Sequence, residues 1–430
     1  MISIPCLTGR AALIGVLTAS LAGAAPLDDT VKSGAIDSAT AASDRAPYDR
    51  DLARKTVTFW EANTGRDPLG FLQWRELSAA YLARQRETGD IADAVKAEDA
   101  ARHSLKISEK RNAQARIRLG RSLLTQHRFR EALEAATKAA ALDPAANRLI
   151  ADVQIELGNL EAAEKALAAD PPRGDDLNYL AIRARLDETS GRREAALRRW
   201  KESCEVADER PDMPAETVAW AYTMLGHTLI DSGRLEEGER ACRKALEVFP
   251  IDYRAMTGMA EAAVWRKDWK SAADWAKKAV DACPQNPEAI RLLAESLKEL
   301  GDTKGGEAQI DRLASLCRSF PRIYDRHWIM FLADQGRDLD EALAMAKKDL
   351  QLRQDVFGYD TLAWVLFKKG ALPEAEKAMA KALAHGTQAA PLYYHAGMIA
   401  KAGGDADRAE AFLTHARKLN PYLMKSVKED

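Results

Sequence analysis

Apolar residues recur every three or four positions along most of this chain, from about Tyr48 almost to the C-terminus. This spacing places them on one face of an α-helix and leaves charged residues on the opposite face. No segment alternates apolar and polar residues as a half-buried strand does, and no Asn-Gly or Asp-Gly pair joins two apolar runs. The pattern therefore predicts an all-α protein.

The predicted helices repeat at a fixed period. Small residues follow Gly120 after 12 and 19 positions, at Ala132 and Ala139, and Pro144 follows after 24. The same three offsets reach two small residues and a proline from three later positions: Gly226, Ala260 and Gly397. The first two of these lie 34 residues apart. The chain is therefore an array of repeated units.

The small residues explain how each unit packs. A small side chain on the first helix facing small side chains on the second lets the two helices approach closely, and a bulky residue at Ala132 or Ala139 would separate them. The proline ends the second helix because it cannot donate to the helical hydrogen bonds. A single helical hairpin cannot hold a core alone, so each unit depends on its neighbours.

This register resembles the tetratricopeptide repeat family. The resemblance is explicit in "ARIRLGRSLLTQHRFREALEAATKAAALDP", "AYTMLGHTLIDSGRLEEGERACRKALEVFP" and "YYHAGMIAKAGGDADRAEAFLTHARKLNP". It covers residues 113–424, with weaker repeat-like hairpins over residues 48–112 and a short tail at residues 425–430. It implies a right-handed α–α superhelix, in which the first helices line a concave groove that binds extended peptides or partner helices. The family is a generic adaptor scaffold, so the resemblance is specific for fold rather than for function.

The N-terminus has the features of a secretory signal peptide, predicted over residues 1–24. Arg10 precedes a short apolar run at 11–21, and Ala-Gly-Ala at 22–24 fits a cleavage site. An uncleaved membrane anchor is the alternative, but the run is shorter than the roughly 20 apolar residues that span a bilayer. Residues 25–47 are small and polar, as in a flexible linker. We expect an exported protein, periplasmic or secreted, with no membrane span in the mature chain.

Charge and cysteine content narrow the possibilities further. The 63 basic and 65 acidic residues nearly balance, which argues against a nucleic-acid-binding protein. Beyond the predicted signal peptide, four cysteines remain: Cys204, Cys242, Cys283 and Cys317. Cys283 and Cys317 occupy equivalent positions in successive units, about 10 Å apart, too far for a disulfide. Cys204 and Cys242 are the least excluded pair, and free buried thiols are the main expectation.

Motifs of catalysis are missing from the sequence. It contains no GxSxG, HExxH, phosphate-loop or GxGxxG motif. The seven histidines are scattered, and none lies three or four residues from another with a carboxylate or cysteine to complete a metal site. We therefore predict a protein that is not an enzyme and that uses no cofactor or metal.

The resemblance implies which first-helix residues face the groove. Toward the C-terminus these positions are aromatic or soft, and two arginines precede them. The predicted partner-binding residues are Arg291, Arg326, Met330, Phe357, Trp364, Phe367, Tyr394 and Met398. Aromatic and methionine side chains are typical interface anchors. Two alternatives remain: the aromatics pack only between hairpins, and the charges neutralise one another on a solvated wall.

Three functions remain open. The first is a non-enzymatic scaffold of the periplasm or cell envelope that binds a segment of a partner protein in the groove. The alternative is a chaperone-like assembly factor for exported or envelope proteins, since soft, methionine-containing grooves suit promiscuous binding. The third, an enzyme with an unrecognised site, has no residue pattern to support it. The sequence does not identify the partner or the oligomeric state.

Overall fold

The computed structural model describes Arg45, residues 47–172, Gly174 and residues 176–423. Within that part of the chain there are 21 α-helices and no β-strand, which confirms the predicted all-α fold. The predicted signal peptide, most of the predicted linker and the C-terminal tail lie outside the described residues.

The first eleven helices are α1 (Leu52–Arg66), α2 (Phe71–Thr88), α3 (Ile91–Ile107), α4 (Ala113–Thr125), α5 (Phe129–Ala140), α6 (Ala146–Glu156), α7 (Leu160–Ala168), α8 (Leu177–Thr189), α9 (Arg193–Asp208), α10 (Ala215–Asp231) and α11 (Leu235–Val248). The remaining ten are α12 (Tyr253–Trp265), α13 (Trp269–Ala282), α14 (Pro287–Glu299), α15 (Thr303–Ser319), α16 (Asp325–Gln335), α17 (Leu339–Leu352), α18 (Val356–Lys368), α19 (Leu372–Leu383), α20 (Ala390–Ala402) and α21 (Ala406–Leu419). After α1 the helices pair in order, α2 with α3 through α20 with α21, and each hairpin packs on the next.

The repeated small residues lie where the two helices of a hairpin meet. Ala132 and Ala139 are fully buried, as predicted. A Cβ atom on Gly226 would lie 3.0 Å from the carbonyl oxygen of Gly238 and 2.6 Å from the sulfur of Cys242. This contact leaves no room for a larger side chain, which explains the small residues of the repeat.

Local sequence signals set the helix ends. Asp268, for example, accepts a hydrogen bond from the backbone N–H of Ser271 at 3.1 Å and so caps the start of α13. The repeat prolines follow the second helices: Pro250 comes after α11 and Pro284 after α13. The residues that cap and end the helices therefore follow the same period as the small residues of the core.

The solenoid winds so tightly that its second turn packs against its first. A Cβ atom on Gly158 would lie 2.5 Å from the carbonyl oxygen of Gln354, and a Cβ atom on Gly191 would collide with the carbonyl group of Gly386. These contacts join the tip of a hairpin in the first turn to a loop between repeats in the second.

Hydrogen bonds also join the first turn to the second. The ring nitrogen Nδ1 of His127 lies 2.9 Å from the carbonyl oxygen of Arg322, 195 residues away. The hydroxyl of Thr387 donates to the carbonyl oxygen of Thr189 at 2.5 Å, 198 residues away. We call this line of contacts the inter-turn seam. It joins hairpin tips near residues 89, 127, 158, 191 and 233 to loops near residues 283, 322, 354, 386 and 420.

All four cysteines beyond the predicted signal peptide are buried, and no disulfide joins any two of them, as expected. Burial raises the pKa of Cys283 to about 11 and that of Cys317 to about 12, so both thiols stay protonated at neutral pH. Among the described helices, none combines the length and the apolar character needed to cross a bilayer.

Candidate partner-binding surface

The eight predicted groove residues all lie on first helices of hairpins. Their helices are α14 for Arg291, α16 for Arg326 and Met330, α18 for Phe357, Trp364 and Phe367, and α20 for Tyr394 and Met398. Met330, Trp364 and Tyr394 belong to one hydrophobic cluster, against which Phe367 and Met398 pack. The structure therefore brings five of the eight together and places the two arginines and Phe357 elsewhere.

The two predicted arginines are buried in ion pairs. Arg291 pairs with Glu288 at 2.7 Å and with Glu295 at 2.9 Å. Arg326 is 3% exposed and pairs with Asp349 at 2.6 Å and Asp355 at 2.9 Å. These guanidinium groups hold the chain's own carboxylates, so a partner's carboxylate would have to displace an existing pair.

Further buried charges, which the sequence analysis did not identify, cross the inter-turn seam. Arg353, at the end of α17, pairs with Glu156 of α6 at 3.1 Å, and both side chains are almost fully buried. Arg185 binds the same carboxylate at 2.5 Å and also pairs with Asp152. Burial raises the pKa of Glu156, and the two arginines oppose this. The pair of Arg353 and Glu156 joins residues 197 positions apart, and nothing in a period of 34 residues indicates it.

Burial also sets the charge state of two histidines, His127 and His327. It lowers the pKa of His127 to about 3 and that of His327 to about 4, so both rings are neutral at pH 7. It raises the pKa of Glu295 to about 7, because hydration of the carboxylate is lost and Glu288 adds repulsion, although Arg291 opposes both. The charged side chains on the inner wall of the middle repeats are thus largely buried, and most of them pair with one another.

The C-terminal part of the wall is aromatic. Trp364 is buried, and its ring stacks with those of Phe367 and His395, whose centroids are 5.0 Å and 4.1 Å away. Its indole N–H donates to Asp334 at 2.8 Å. Tyr394, with its ring centroid 6.2 Å from that of Trp364, is buried as well. These two rings are packing residues in the structure.

Three predicted residues remain partly exposed: Phe357, Phe367 and Met398. Phe367 and Met398 pack on the cluster around Trp364, so an incoming apolar side chain would contact residues supported by a buried core. The ammonium group of Lys368 lies 4.9 Å from the ring centroid of Trp364, and Lys401 is exposed beside Met398. This surface can therefore offer apolar contact with two cationic groups at its edge.

Phe357 lines a separate cavity of about 120 Å³ at the inter-turn seam. Residues of α8, α9 and α10 face it from the first turn, and the start of α18 and the loop before α20 face it from the second. Arg193 in its wall donates to the carbonyl oxygens of Gln388 and Leu419, the second at 3.2 Å. Another wall residue, Glu188, accepts from the indole of Trp200 at 3.1 Å. The cavity has room for several water molecules or one side chain.

Among the described residues, no three histidine, cysteine, aspartate or glutamate side chains lie close enough together to bind a metal ion.

Comparison with known proteins identifies the repeat. A sequence model of the tetratricopeptide repeat matches residues 117–175 and 223–287, and a second tetratricopeptide model matches residues 390–423. No curated protein matches the sequence at a significant level.

Several solved structures are similar at low identity. The APC/C hetero-tetramer Cut9-Hcn1 contains a chain with 12% identity and a TM-score of 0.33, and the match covers 88% of this chain and 94% of that one. For yeast Tom70 the identity is 13%, the TM-score 0.36 and the coverage 87% and 91%. For the human IFIT1 dimer with m7Gppp-AAAA they are 15%, 0.45 and 85% of each chain.

Proposed function

Because this chain is a tetratricopeptide repeat protein, we propose that it is a non-enzymatic protein–protein interaction scaffold that binds an extended segment of a partner protein. The observation that carries this proposal is the surface formed by Phe367 and Met398 over the buried Trp364 and Tyr394. Partly exposed apolar side chains on a packed base are typical of interface anchors.

The chemistry of this surface limits the partner segment. Phe367 and Met398 lie on first helices of consecutive hairpins, so a segment that crosses both would place apolar side chains against each. Lys368 and Lys401 flank them and favour a carboxylate on the partner. Because Trp364 is already fixed by stacking and by its hydrogen bond to Asp334, little ordering of this surface would accompany binding. The expected partner segment is apolar with an acidic residue beside it.

The scaffold is proposed to act outside the cytoplasm, in the periplasm or after secretion. The support for this is the signal-peptide pattern of residues 1–24. N-terminal sequencing of the native protein should then give Ala25 as the first residue. An intact Met1 on a protein recovered from the cytoplasm would contradict the proposed export.

Site-specific photo-crosslinking tests the surface directly. A photoreactive phenylalanine analogue at position 367 should capture one partner from envelope extracts, whereas the analogue at position 142, on an exposed leucine elsewhere, should not. Once the partner is identified, the double change Phe367→Ala and Met398→Ala should weaken binding about 30-fold, or ~2 kcal/mol.

A matched control is Phe59→Ala, which removes an exposed aromatic side chain of α1 and should leave partner binding unchanged. Circular dichroism should show the same helix content in all variants. If the folded double variant binds the partner as tightly as the wild type does, this surface is not the binding site.

The chaperone-like alternative requires a broad apolar surface for unfolded clients. Large exposed apolar side chains among the described residues concentrate instead at the N-terminal end, at Leu52, Phe59, Leu69 and Leu72. Suppression of client aggregation by the purified chain, lost when Phe59 and Leu69 become serine, would favour this alternative over the scaffold.

A further inference from the structure

The N-terminal segment before α1 is fastened to a distant part of the solenoid. The guanidinium group of Arg45 donates to three backbone carbonyl oxygens: Ala207 at 2.8 Å, Arg210 at 3.3 Å and Met213 at 3.4 Å. These acceptors lie more than 160 residues away, at the end of α9 and in the loop that follows it. Arg45 falls within the predicted flexible linker, so this part of that segment is bound in the structure.

The loop that holds Arg45 interrupts the repeat. Residues 209–214 separate α9 from α10 as an insertion that the 34-residue period does not account for. The last carbonyl groups of a helix carry partial negative charge and have no partner within the helix. Asp208 and Asp212 add full negative charges that attract Arg45, although burial lowers the pKa of the arginine. The insertion thus builds a socket for a cationic side chain.

Tyr48, three residues after Arg45, makes a second set of contacts with the solenoid. Its ring meets the ring of Phe249 edge to face, with centroids 4.7 Å apart, and its hydroxyl donates to Glu87 at 3.3 Å. Phe249 is fully buried at the end of α11, whereas Glu87 belongs to α2. The segment therefore joins the loop after α9, the end of α11 and the end of α2.

We propose that Arg45 and Tyr48 are an intramolecular ligand of a peptide-binding site, and that this site recognises an extended segment with an arginine three positions before a tyrosine. The site consists of the carbonyl socket of residues 207–213, the ring of Phe249 and the carboxylate of Glu87. None of these contacts depends on the covalent link between Tyr48 and α1, so a separate peptide with the same two side chains can make them.

The covalent link decides which ligand occupies the site. A tethered segment has an effective concentration in the millimolar range, so a free peptide competes only when the chain's own segment is removed or displaced. In the intact chain the site is filled by the chain's own segment. The site is distinct from the surface at Phe367 and Met398, so this proposal does not rest on the proposed partner-binding function.

The test uses the full chain with Arg45→Ala and Tyr48→Ala, which empties the site without changing any helix. A fluorescent peptide of residues 43–50, "SDRAPYDR", is titrated into it, and binding is followed by fluorescence anisotropy. The peptide should bind the double variant saturably and the wild type at least tenfold more weakly. The same peptide with alanine in place of Arg45 should not bind the double variant.

Arg50→Ala is the matched control, because Arg50 is exposed in the same stretch and that variant should behave like the wild type. Equal binding of the peptide to the wild type and the double variant, or binding to neither, would overturn the proposal. If the double variant loses its helical circular dichroism, limited trypsin digestion of the wild type decides instead. Cleavage after Arg45 should be much slower than cleavage after Arg50, and equal rates would overturn the proposal.

Discussion

The hairpin tips of the two superhelical turns look alike in sequence and differ in what surrounds them. Gly191 in the first turn and Gly370 in the second both follow a first helix and have positive φ angles, +76° and +78°. A Cβ atom on Gly191 would collide with the backbone of Gly386, whereas a Cβ atom on Gly370 would meet no atom within 4 Å. One repeat position therefore serves two purposes: it forms a turn everywhere, and in the first turn it also forms the inter-turn seam.

This difference has a consequence for the inner wall. Where the first turn supports the second, charged residues such as Arg353 and Glu156 are enclosed and must pair with one another. An open solenoid would leave such residues in water, free to bind a partner. Because the seam encloses these charges, the surface that stays partly exposed for a partner is the aromatic one at the C-terminal end, at Phe367 and Met398.

The largest expected effect comes from breaking the seam at its buried ion pair. Arg353→Ala should lower the free energy of unfolding by about 3–5 kcal/mol, because Glu156 stays buried with one partner fewer. Urea denaturation followed by circular dichroism measures the change. The control, Arg54→Ala, removes an exposed pair with Asp51 and should change stability by no more than about 1 kcal/mol. Equal stability of the two variants would mean that the turns do not pack in solution.

A smaller effect separates the two kinds of hairpin tip. Gly191→Ala and Gly370→Ala strain the same backbone conformation, but only the first also pushes a methyl group into the opposite turn. We expect Gly191→Ala to be the more destabilising by about 1–3 kcal/mol, as for other overpacked contacts. Thermal unfolding of both variants measures the difference. Matching melting curves would show that the tip of the first turn is free, as the tip of the second is.

Much of the fold could be predicted from the sequence because its signals are local. The spacing of Gly120, Ala132 and Pro144 encodes a close helix pair and a helix end within one unit, and the structure confirms both. The same register placed all eight predicted groove residues on first helices. Whether a partner binds them stays a prediction.

Burial of the groove residues could not be predicted, because the period places each residue on a helix but does not show which side chains of its own unit and of the neighbouring units enclose it. The 34-residue period describes each unit and its neighbour, but it does not give the number of units in one superhelical turn. Arg326 has the pattern of an exposed groove residue in sequence, yet Asp349 and Asp355 enclose it. Trp364 was likewise a plausible anchor until its stacking on His395 was known.

The smallest expected effect is a pH dependence that reports whether the second turn is closed to water. Glu295 lies on its inner wall with a side chain only 10% exposed, and burial raises its pKa to about 7. In the unfolded chain the pKa returns to about 4.3, so the folded state binds the proton more tightly. Stability that comes from Glu295 is therefore greatest at low pH and is lost as the pH rises toward and through 7. An open second turn would hydrate this carboxylate and remove the effect.

Glu295→Gln isolates this contribution. Relative to the wild type, the variant should gain about 1 kcal/mol of unfolding free energy between pH 6 and pH 8, since only the wild-type side chain ionises there. Comparing the two chains at each pH matters because His327, whose pKa is lowered to about 4, has the opposite slope: its contribution is lost as the pH falls from about 6.5 toward 4. That slope is present in both chains and cancels in their difference. Urea denaturation at pH 6, 7 and 8 measures the difference in unfolding free energy between the two chains. Parallel stability curves for the two chains would mean that the Glu295 carboxylate is hydrated. The inner wall of the second turn would then be open to water, as its hairpin tip at Gly370 is.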